Sequence, residues 1–312
     1  FFFAFVFSLR LPAQMQEFVT NLLLGGVSGV FAKTLCAPLE RVKIILQTQH
    51  VSSQISEANK YKGILDAFRR IPSEQGMQAF WRGNATNCAR YFPTQAMNFA
   101  FKERYQKLFV RPKEEVGFAR NFLGYLAAGG AAGATSLLVA YPLDFSYTRL
   151  AADVGSGEKR QFTGLVDCLK KIHAADGVRG LYRGFAPSVM GIVVYRAGYF
   201  AYDPLKKMVF GEQKRTYASL PLFLGLAMAV DITAAMMAYP FDTVRRRMMM
   251  QSGKPLEERI YNSSLHCATT ILKDEGPKGM YKGAGMNNVR AIASAMVLVV
   301  YDELKQAFAT KK

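Results

Sequence analysis

One short segment, a proline followed by an acid and then a base, recurs in this sequence and decides its fold. It reads Pro38-Leu39-Glu40-Arg41-Val42-Lys43, then Pro142-Leu143-Asp144, then Pro240-Phe241-Asp242-Thr243-Val244-Arg245. Each copy ends an apolar run, and a proline near the end of a helix kinks it. An acid and a base three residues apart share one helical face. Three kinked helices therefore bring these charges together as a ring that closes one end of a central cavity.

Two further markers repeat in the same register. One reads Tyr61-Lys62-Gly63, Phe162-Thr163-Gly164 and Tyr261-Asn262-Ser263, so its copies start 101 and 99 residues apart. The other keeps those offsets and reads Trp81-Arg82-Gly83, Tyr182-Arg183-Gly184 and Tyr281-Lys282-Gly283. Self-similarity at a fixed period indicates a repeat architecture. We therefore divide the chain into an apolar N-terminal extension (1–15) and three repeats (16–112, 113–213 and 214–312) that form one structural domain.

Each repeat has the pattern of spanning helix, surface helix, spanning helix. Apolar stretches long enough to cross a bilayer lie at 18–38, 85–101, 121–143, 185–205, 219–241 and 283–301. Between the first two, Ile64, Phe68 and Ile71 form the stripe of an amphipathic helix that lies flat at the membrane surface. Glycine pairs such as Gly129 and Gly133 let helices pack closely. The prediction is an all-α membrane protein, with six transmembrane helices in a pseudo-threefold bundle and one surface helix per repeat.

Composition argues against several other classes of protein. The chain has 312 residues and a net charge of +17, an excess typical of proteins that attract nucleic acid, anionic solutes or lipids. Because the cations stand singly within apolar helices, no nucleic-acid interface is predicted. Four cysteines and three histidines lack the spacing of a disulfide framework or a metal site. No nucleophile-base or paired-carboxylate pattern occurs, so the sequence does not predict an enzyme.

The run from Phe1 to Leu9 is apolar and holds five Phe residues. It is too short to span a bilayer and lacks the basic leader and cleavage site of a secretory signal. Since the chain does not begin with Met, we expect a processed or incomplete sequence. We expect the run to lie along lipid, with docking onto a neighbouring protein as the alternative.

Three equivalent positions indicate a binding site for an asymmetric anion. Nine residues after the aromatic of the second marker stand Arg90, Gly191 and Arg290, so two repeats supply a cation and one a gap. Arginine can bind phosphate oxygens with both arms of its fork. The glycine lets a flat ring approach, and Tyr195 stands one turn further on to stack against it. Lys33, five residues before the first proline, adds a third cation at mid-membrane.

Acid-base pairs also end the even-numbered spanning helices. The first copy has Glu103, and the others read Tyr202-Asp203-Pro204-Leu205-Lys206 and Tyr301-Asp302-Glu303-Leu304-Lys305. These helices end at the opposite mouth of the cavity, so the pairs form a second ring there. Two rings around one cavity predict alternating access between two ion-pair gates.

Proline-acid-base triplets in three repeats resemble the mitochondrial carrier family, over about residues 16 to 310. Within that family, Arg245-Arg246-Arg247-Met248-Met249-Met250 resembles the signature of the ADP/ATP carriers, and the stretches 90–95, 129–137 and 149–154 agree. The resemblance implies exchange of ADP for ATP across the mitochondrial inner membrane, without a cofactor but with bound cardiolipin. It also implies termini that face the intermembrane space, surface helices on the matrix side, and a monomer, with association with respiratory complexes left open.

The resemblance also assigns roles to individual residues. The phosphate-binding positions match Lys33, Arg90, Arg246 and Arg290, and the adenine pocket matches Gly191, Ile192 and Tyr195. The matrix gate matches Glu40, Lys43, Asp144, Tyr147, Asp242 and Arg245, with Gln47 as its brace. The cytoplasmic-side gate matches Glu103, Asp203, Lys206, Asp302 and Lys305. Cardiolipin sites match the backbone around Gly83, Gly184 and Gly283, where helix N-termini favour anions.

Three positions depart from the family pattern. Tyr147 stands where the second gate triplet should offer a base, which leaves Glu40 with at most an uncharged hydroxyl as its partner. Gln106 replaces the base expected at the other mouth. Asp231 lies inside the fifth spanning helix, where it would repel phosphates if it faced the cavity. Two alternatives therefore stay open: a carrier of a related nucleotide, and a non-transporting structural subunit of a respiratory assembly.

Overall fold

Helices account for all the regular secondary structure that is described. In the computed structural model of the protein, the described residues are 13–111, 113–199, 205, 208, 220–290 and 293. The long helices are α1 (Ala13–Thr48), α3 (Asn84–Phe109), α4 (Lys113–Ala152, with a break at Gly117), α6 (Phe185–Tyr199) and α7 (Leu220–Met249). Between them lie α2 (Ile64–Gln75), α5 (Leu165–Leu181, with a break at Gly177), α8 (Ser264–Asp274) and α9 (Pro277–Met280). The last helix, α10, is described over 284–290.

The element order follows the predicted repeat. The odd spanning helices α1, α4 and α7 contain Pro38, Pro142 and Pro240, respectively. Each is followed by a surface helix (α2, α5, α8) and then by an even spanning helix (α3, α6, α10). The all-helical, three-repeat fold predicted from the sequence is confirmed.

Small residues set the distance between neighbouring helices. A Cβ added at Gly133 of α4 would lie 2.9 Å from the Ile192 side chain of α6, and one at Gly198 of α6 would lie 2.9 Å from Ala234 of α7. Both distances are shorter than real carbon contacts, so only glycine permits these approaches. Close packing of this kind lets helices in a bilayer associate without a hydrophobic driving force.

Each surface helix buries one face against the bundle. In α2 the fully buried positions are Ala67 and Ile71, and the matching pairs in α5 and α8 are Cys168 with Ile172 and Cys267 with Ile271. Burial of an isoleucine of this kind contributes about 1.5–3 kcal/mol. On the side of α2 that faces away from the bundle, Leu65 is 76% exposed. Val166 and Leu265 are exposed at the equivalent positions of α5 and α8, and this pattern agrees with helices that lie at a lipid surface.

By length and hydropathy alone, one helical segment within the described part of the chain could cross a membrane, namely Arg120–Ala152. The other long helices include charged side chains, such as Lys33 and Glu40 in α1 and Arg90 in α3, which lower their mean hydropathy. Charges inside spanning helices are found where they pair with one another or face a wet cavity.

Candidate functional site

The proline-acid-base segments meet at one end of the bundle. The Lys43 ammonium of α1 lies 2.9 Å from Oδ2 of Asp242 on α7, and the Arg245 guanidinium of α7 lies 2.7 Å from Oδ2 of Asp144 on α4. The side chain of Asp144 is only 2% exposed, and that of Asp242 is 23% exposed. Removing one partner of a buried pair leaves an uncompensated charge, so these pairs hold the three helices together.

The third corner of this ring joins Glu40 of α1 to Tyr147 of α4. The Tyr147 hydroxyl donates to Oε2 of Glu40 at 2.6 Å, and the Asn87 side-chain amide donates to the same oxygen at 2.8 Å. The Arg290 guanidinium lies 3.9 Å from the other carboxylate oxygen. Glu40 therefore has three partners in place of the base that the family pattern expects. We use the name matrix ring, after the side that the sequence resemblance predicts, for Glu40, Lys43, Asp144, Tyr147, Asp242 and Arg245.

Further polar side chains contact members of the matrix ring. The Gln47 amide donates to Asp242 at 3.3 Å and to the Thr243 hydroxyl at 3.2 Å. Arg246 lies 3.2 Å from the same Asp242 carboxylate through its Nε. Asn287 of α10 accepts a hydrogen bond of 2.9 Å from Lys43. Asp242 thus accepts from several cationic and neutral donors, which offsets the cost of removing its charge from water.

A cavity of about 760 Å³ borders the matrix ring, and Lys43, Asp242 and Arg245 of the ring form part of its wall. Arg90 and Arg290 line it from α3 and α10. Each also contacts an acid of the ring: Arg90 lies 2.9 Å from Asp144, whereas Arg290 lies 3.9 Å from Glu40. The two threefold-related arginines therefore stand between the cavity and the acids that close it.

The predicted substrate residues fall into two groups in this conformation. Among the described residues that line the cavity are Arg90, Arg290, Gly191, Ile192 and Tyr195, whereas Lys33 and Arg246 are not among them. Lys33 instead lies 3.5 Å from Asn87 and above the Tyr91 ring.

Gly191 of α6 has a packing role in addition to the predicted one. A Cβ at this position would lie 3.3 Å from the Cβ of Phe241 on α7. The missing side chain therefore brings α6 close to α7 and also leaves room on the cavity wall. The nearby Tyr195 hydroxyl donates to the carboxylate of Asp231 on α7.

The second predicted ring lies mostly outside the described residues. Asp203, Lys206, Asp302 and Lys305 belong to that part of the chain. Glu103 is described and is exposed at the end of α3. Gln106, one turn further along, lines the cavity near its mouth together with Lys102.

The three glycines assigned to lipid sites stand where the even helices begin, and all have positive φ: Gly83 at 86°, Gly184 at 90° and Gly283 at 84°. This region of backbone space favours glycine. A Cβ at Gly184 would lie 2.7 Å from the carbonyl oxygen of Arg245, and one at Gly283 would lie 3.1 Å from that of Lys43. The glycines thus bring each helix N-terminus against the backbone of a matrix-ring residue in the neighbouring repeat.

Sequence reasoning missed two asparagines of the site. Asn87 links Glu40 to Arg90: its amide donates to Glu40, and its side-chain oxygen accepts from Nη2 of Arg90 at 3.1 Å. Asn287 accepts from Lys43. Both stand three residues before an arginine of the anion site, at equivalent positions of the first and third repeats. That matched spacing was the available signal.

A second network, also missed, ties the odd helices to the surface helices. Arg247 of α7 donates through both arms of its fork to Glu275, which ends α8, and Lys282 donates to the same carboxylate at 2.6 Å. Although burial opposes it, these hydrogen bonds lower the pKa of Glu275 to about 2. In the first repeat, Arg41 donates to Gln75 at 2.6 Å. Positions 75 and 275 are equivalent in the repeat register, each directly before a glycine.

A closed polar ring next to an open cationic cavity, inside a bundle of three helical repeats, is typical of membrane transporters. A family model described as "Mitochondrial carrier protein" matches the chain three times, over residues 14–113, 118–213 and 219–312. The chain therefore belongs to the mitochondrial carrier family.

Individual relatives agree with that assignment. The chain is 52% identical over 296 residues to "ADP/ATP translocase 3" of Bos taurus, and the alignment covers 94% of this chain and 98% of the relative. It is 51% identical over 293 residues to "ADP/ATP translocase 2" of Rattus norvegicus, covering 93% and 97%. It is 50% identical over 294 residues to "Mitochondrial substrate carrier family protein ancA" of Dictyostelium discoideum, covering 94% of each.

Proposed function

We propose that this protein exchanges ADP for ATP across the mitochondrial inner membrane. The observation that carries the proposal is the pair Arg90 and Arg290, which face a cavity of about 760 Å³ whose inner end is closed by the matrix ring. Guanidinium forks match the geometry of phosphate oxygens. The names of the relatives, ADP/ATP translocases at about half identity, support the choice of nucleotide.

The contacts of the two arginines provide a link between binding and opening. Arg90 lies against Asp144, and Arg290 lies against Glu40, so a polyphosphate bound by them competes with these acids for the same cations. Loss of an arginine partner weakens the closed ring, because each acid is then less fully compensated. Substrate binding therefore favours opening of the matrix ring, while a second ring at the other mouth closes. Such a cycle gives one-for-one exchange by alternating access.

The remaining parts of the proposal concern the membrane and the assembly. Cardiolipin phosphates bind at the N-termini of the even helices beside Gly83, Gly184 and Gly283, where backbone N–H groups favour an anion. Both termini face the intermembrane space, and the cavity in this conformation opens to the same side. The carrier works as a monomer.

A reconstitution experiment tests this function. Purified protein in cardiolipin-containing liposomes is expected to take up labelled ADP only when the liposomes are preloaded with ADP or ATP. Since ADP and ATP differ in charge, the exchange of one for the other is expected to respond to an imposed membrane potential. Uptake that requires a different internal anion, such as phosphate or aspartate, would reassign the substrate within the family.

A second candidate function is a structural subunit of a respiratory assembly that no longer transports. The uncharged Tyr147 and Gln106 at the two rings, and the acid Asp231 inside α7, motivate it. Copurification with a respiratory complex in fixed stoichiometry, together with no ADP-dependent rise in melting temperature, would support this function. A free monomer with a clear ADP-dependent shift would contradict it.

A further inference from the structure

Asp231 is a membrane-embedded acid that the exchange cycle described above does not use. It lies in α7, where Ala235, Ala238 and Asp242 face the cavity. Positions 231, 235, 238 and 242 recur at the spacing of one helical face. Asp231 therefore stands one turn beyond Ala235, on the same face, further from the matrix ring. An ionisable residue at this depth of a spanning helix is costly, and it marks a functional site by default.

The partner of Asp231 connects it to the cavity. The hydroxyl of Tyr195, which lines the cavity from α6, donates to Oδ1 of Asp231. This hydrogen bond engages Oδ1, and a carboxylate can accept further hydrogen bonds at its second oxygen. Tyr195 stands beside Gly191 and Ile192, which line the same part of the wall.

The chemistry of the two side chains defines what binds there. A purine stacked on the Tyr195 ring places its edge near the carboxylate that the ring's hydroxyl contacts. An ionised carboxylate accepts hydrogen bonds but cannot donate them. We propose that Asp231 is a specificity-determining residue, which accepts a hydrogen bond from the 6-amino group of a purine and disfavours 6-oxo purines. This inference rests on the proposed nucleotide transport and extends it to the choice of base.

The position of the acid also orients the ligand. Arg90 and Arg290 hold positive charge at the inner end of the cavity, beside the matrix ring. The carboxyl group of Asp231 stands further out on α7. Lys102 and Arg196 also line the cavity, so the orientation follows from stacking as well as from charge. A base stacked on Tyr195 leaves the phosphates to bind inward at Arg90 and Arg290, where no carboxylate of α7 beyond Asp242 repels them.

The test compares bases in the reconstituted full-length protein. Competition with labelled ADP uptake would be measured for ADP, for inosine diphosphate (6-oxo) and for purine riboside diphosphate, which has hydrogen at position 6. In the wild type, both analogues are expected to compete at least about tenfold more weakly than ADP, the scale of one charge-assisted hydrogen bond. In Asp231→Asn the amide can donate to the 6-oxo group, so the ratio of inosine diphosphate to ADP affinity is expected to rise about tenfold.

Thr233→Val is the matched control in α7. The Thr233 hydroxyl is exposed and donates within its own helix to the Ala229 carbonyl at 2.8 Å. This variant is expected to keep the wild-type ratios. A merely structural tie between Tyr195 and Asp231 would change the overall transport rate of Asp231→Asn but not its base ratios.

Each outcome distinguishes the two proposals. If ADP is transported and the base ratios are the same in wild type and Asp231→Asn, the inference about Asp231 is wrong while nucleotide exchange stands. If the wild type transports no purine nucleotide, both proposals are wrong. If Asp231→Asn fails to fold, the rise in melting temperature of the wild type with each nucleotide tests the inference about Asp231. Equal rises in melting temperature with ADP and with purine riboside diphosphate would then overturn the assignment.

Discussion

The Tyr147→Phe variant tests whether an uncharged hydroxyl completes the matrix ring. The hydroxyl lies 2.6 Å from a Glu40 oxygen, and Tyr147 is 6% exposed. Hydrogen bonds to a charged group contribute about 1.5–3 kcal/mol. Because Glu40 keeps Asn87 at 2.8 Å and Arg290 at 3.9 Å, we expect the low end of that range, about 1.5 kcal/mol.

The assay is thermal unfolding of the purified carrier, paired with ADP exchange in liposomes. At about 2–4 °C per kcal/mol for a chain of this size, Tyr147→Phe is expected to lower the apparent melting temperature by about 3–6 °C. Tyr182→Phe is the matched control, since the Tyr182 hydroxyl donates to the Leu138 carbonyl at 2.8 Å, away from the ring. The control is expected to leave the exchange rate unchanged.

The opposite change, Tyr147→Arg, adds a charge beside Glu40. It is expected to stabilise the closed ring by about 1 kcal/mol, because the new guanidinium shares Glu40 with Arg290. A closed state that is more stable by this amount opens about fivefold more slowly, so melting temperature rises while exchange slows. If Tyr147→Phe changes neither measurement, Glu40 does not depend on the hydroxyl, and the proposed ring is wrong at this corner.

Three further predictions concern other parts of the site. Arg90→Lys keeps the charge but loses the fork, so exchange is expected to fall at least about tenfold while the melting temperature changes by only a few degrees. If the variant is instead strongly destabilised but exchanges at the wild-type rate, Arg90 is a packing residue. Gly184→Ala is expected to destabilise the protein by about 1–3 kcal/mol, because φ is positive and the new Cβ would lie 2.7 Å from the Arg245 carbonyl; an unchanged melting temperature would mean that the helices separate freely there. Burial and the neighbouring Lys282 and Lys60 lower the pKa of His50 from an ordinary 6.5 to about 4. Between these pH values the unfolded chain binds more protons than the folded protein, so stability is lost as pH falls from about 6.5 towards 4. His50→Gln is expected to flatten this loss in melting curves recorded across that range, whereas the exposed His173→Gln is not; equal slopes for both variants would contradict the assignment.

Much of the fold was predictable because it depends on local sequence patterns. Proline positions, glycine positions and apolar runs repeat at fixed offsets, and each acts within its own helix or turn. The pairing of the cations at positions 90 and 290 in one site was predictable for the same reason, since symmetry places equivalent positions at one depth of the bundle. The roles of the predicted binding residues stay predictions, and the second ring lies largely outside the described residues.

The partners of each charge could not be read from the chain, because they depend on contacts between helices far apart in sequence. Sequence reasoning left Glu40 with a hydroxyl at most, whereas the bundle brings it Tyr147, Asn87 and Arg290 from three different helices. It gave Asp231 no partner, whereas packing of α6 on α7 places the Tyr195 hydroxyl against it. By itself, the sequence determined which residues are polar inside apolar helices and at what depth they lie. Only the tertiary structure decided which of them meet, because a hydrogen bond requires approach to within about 3 Å, and helix rotation and tilt set that distance.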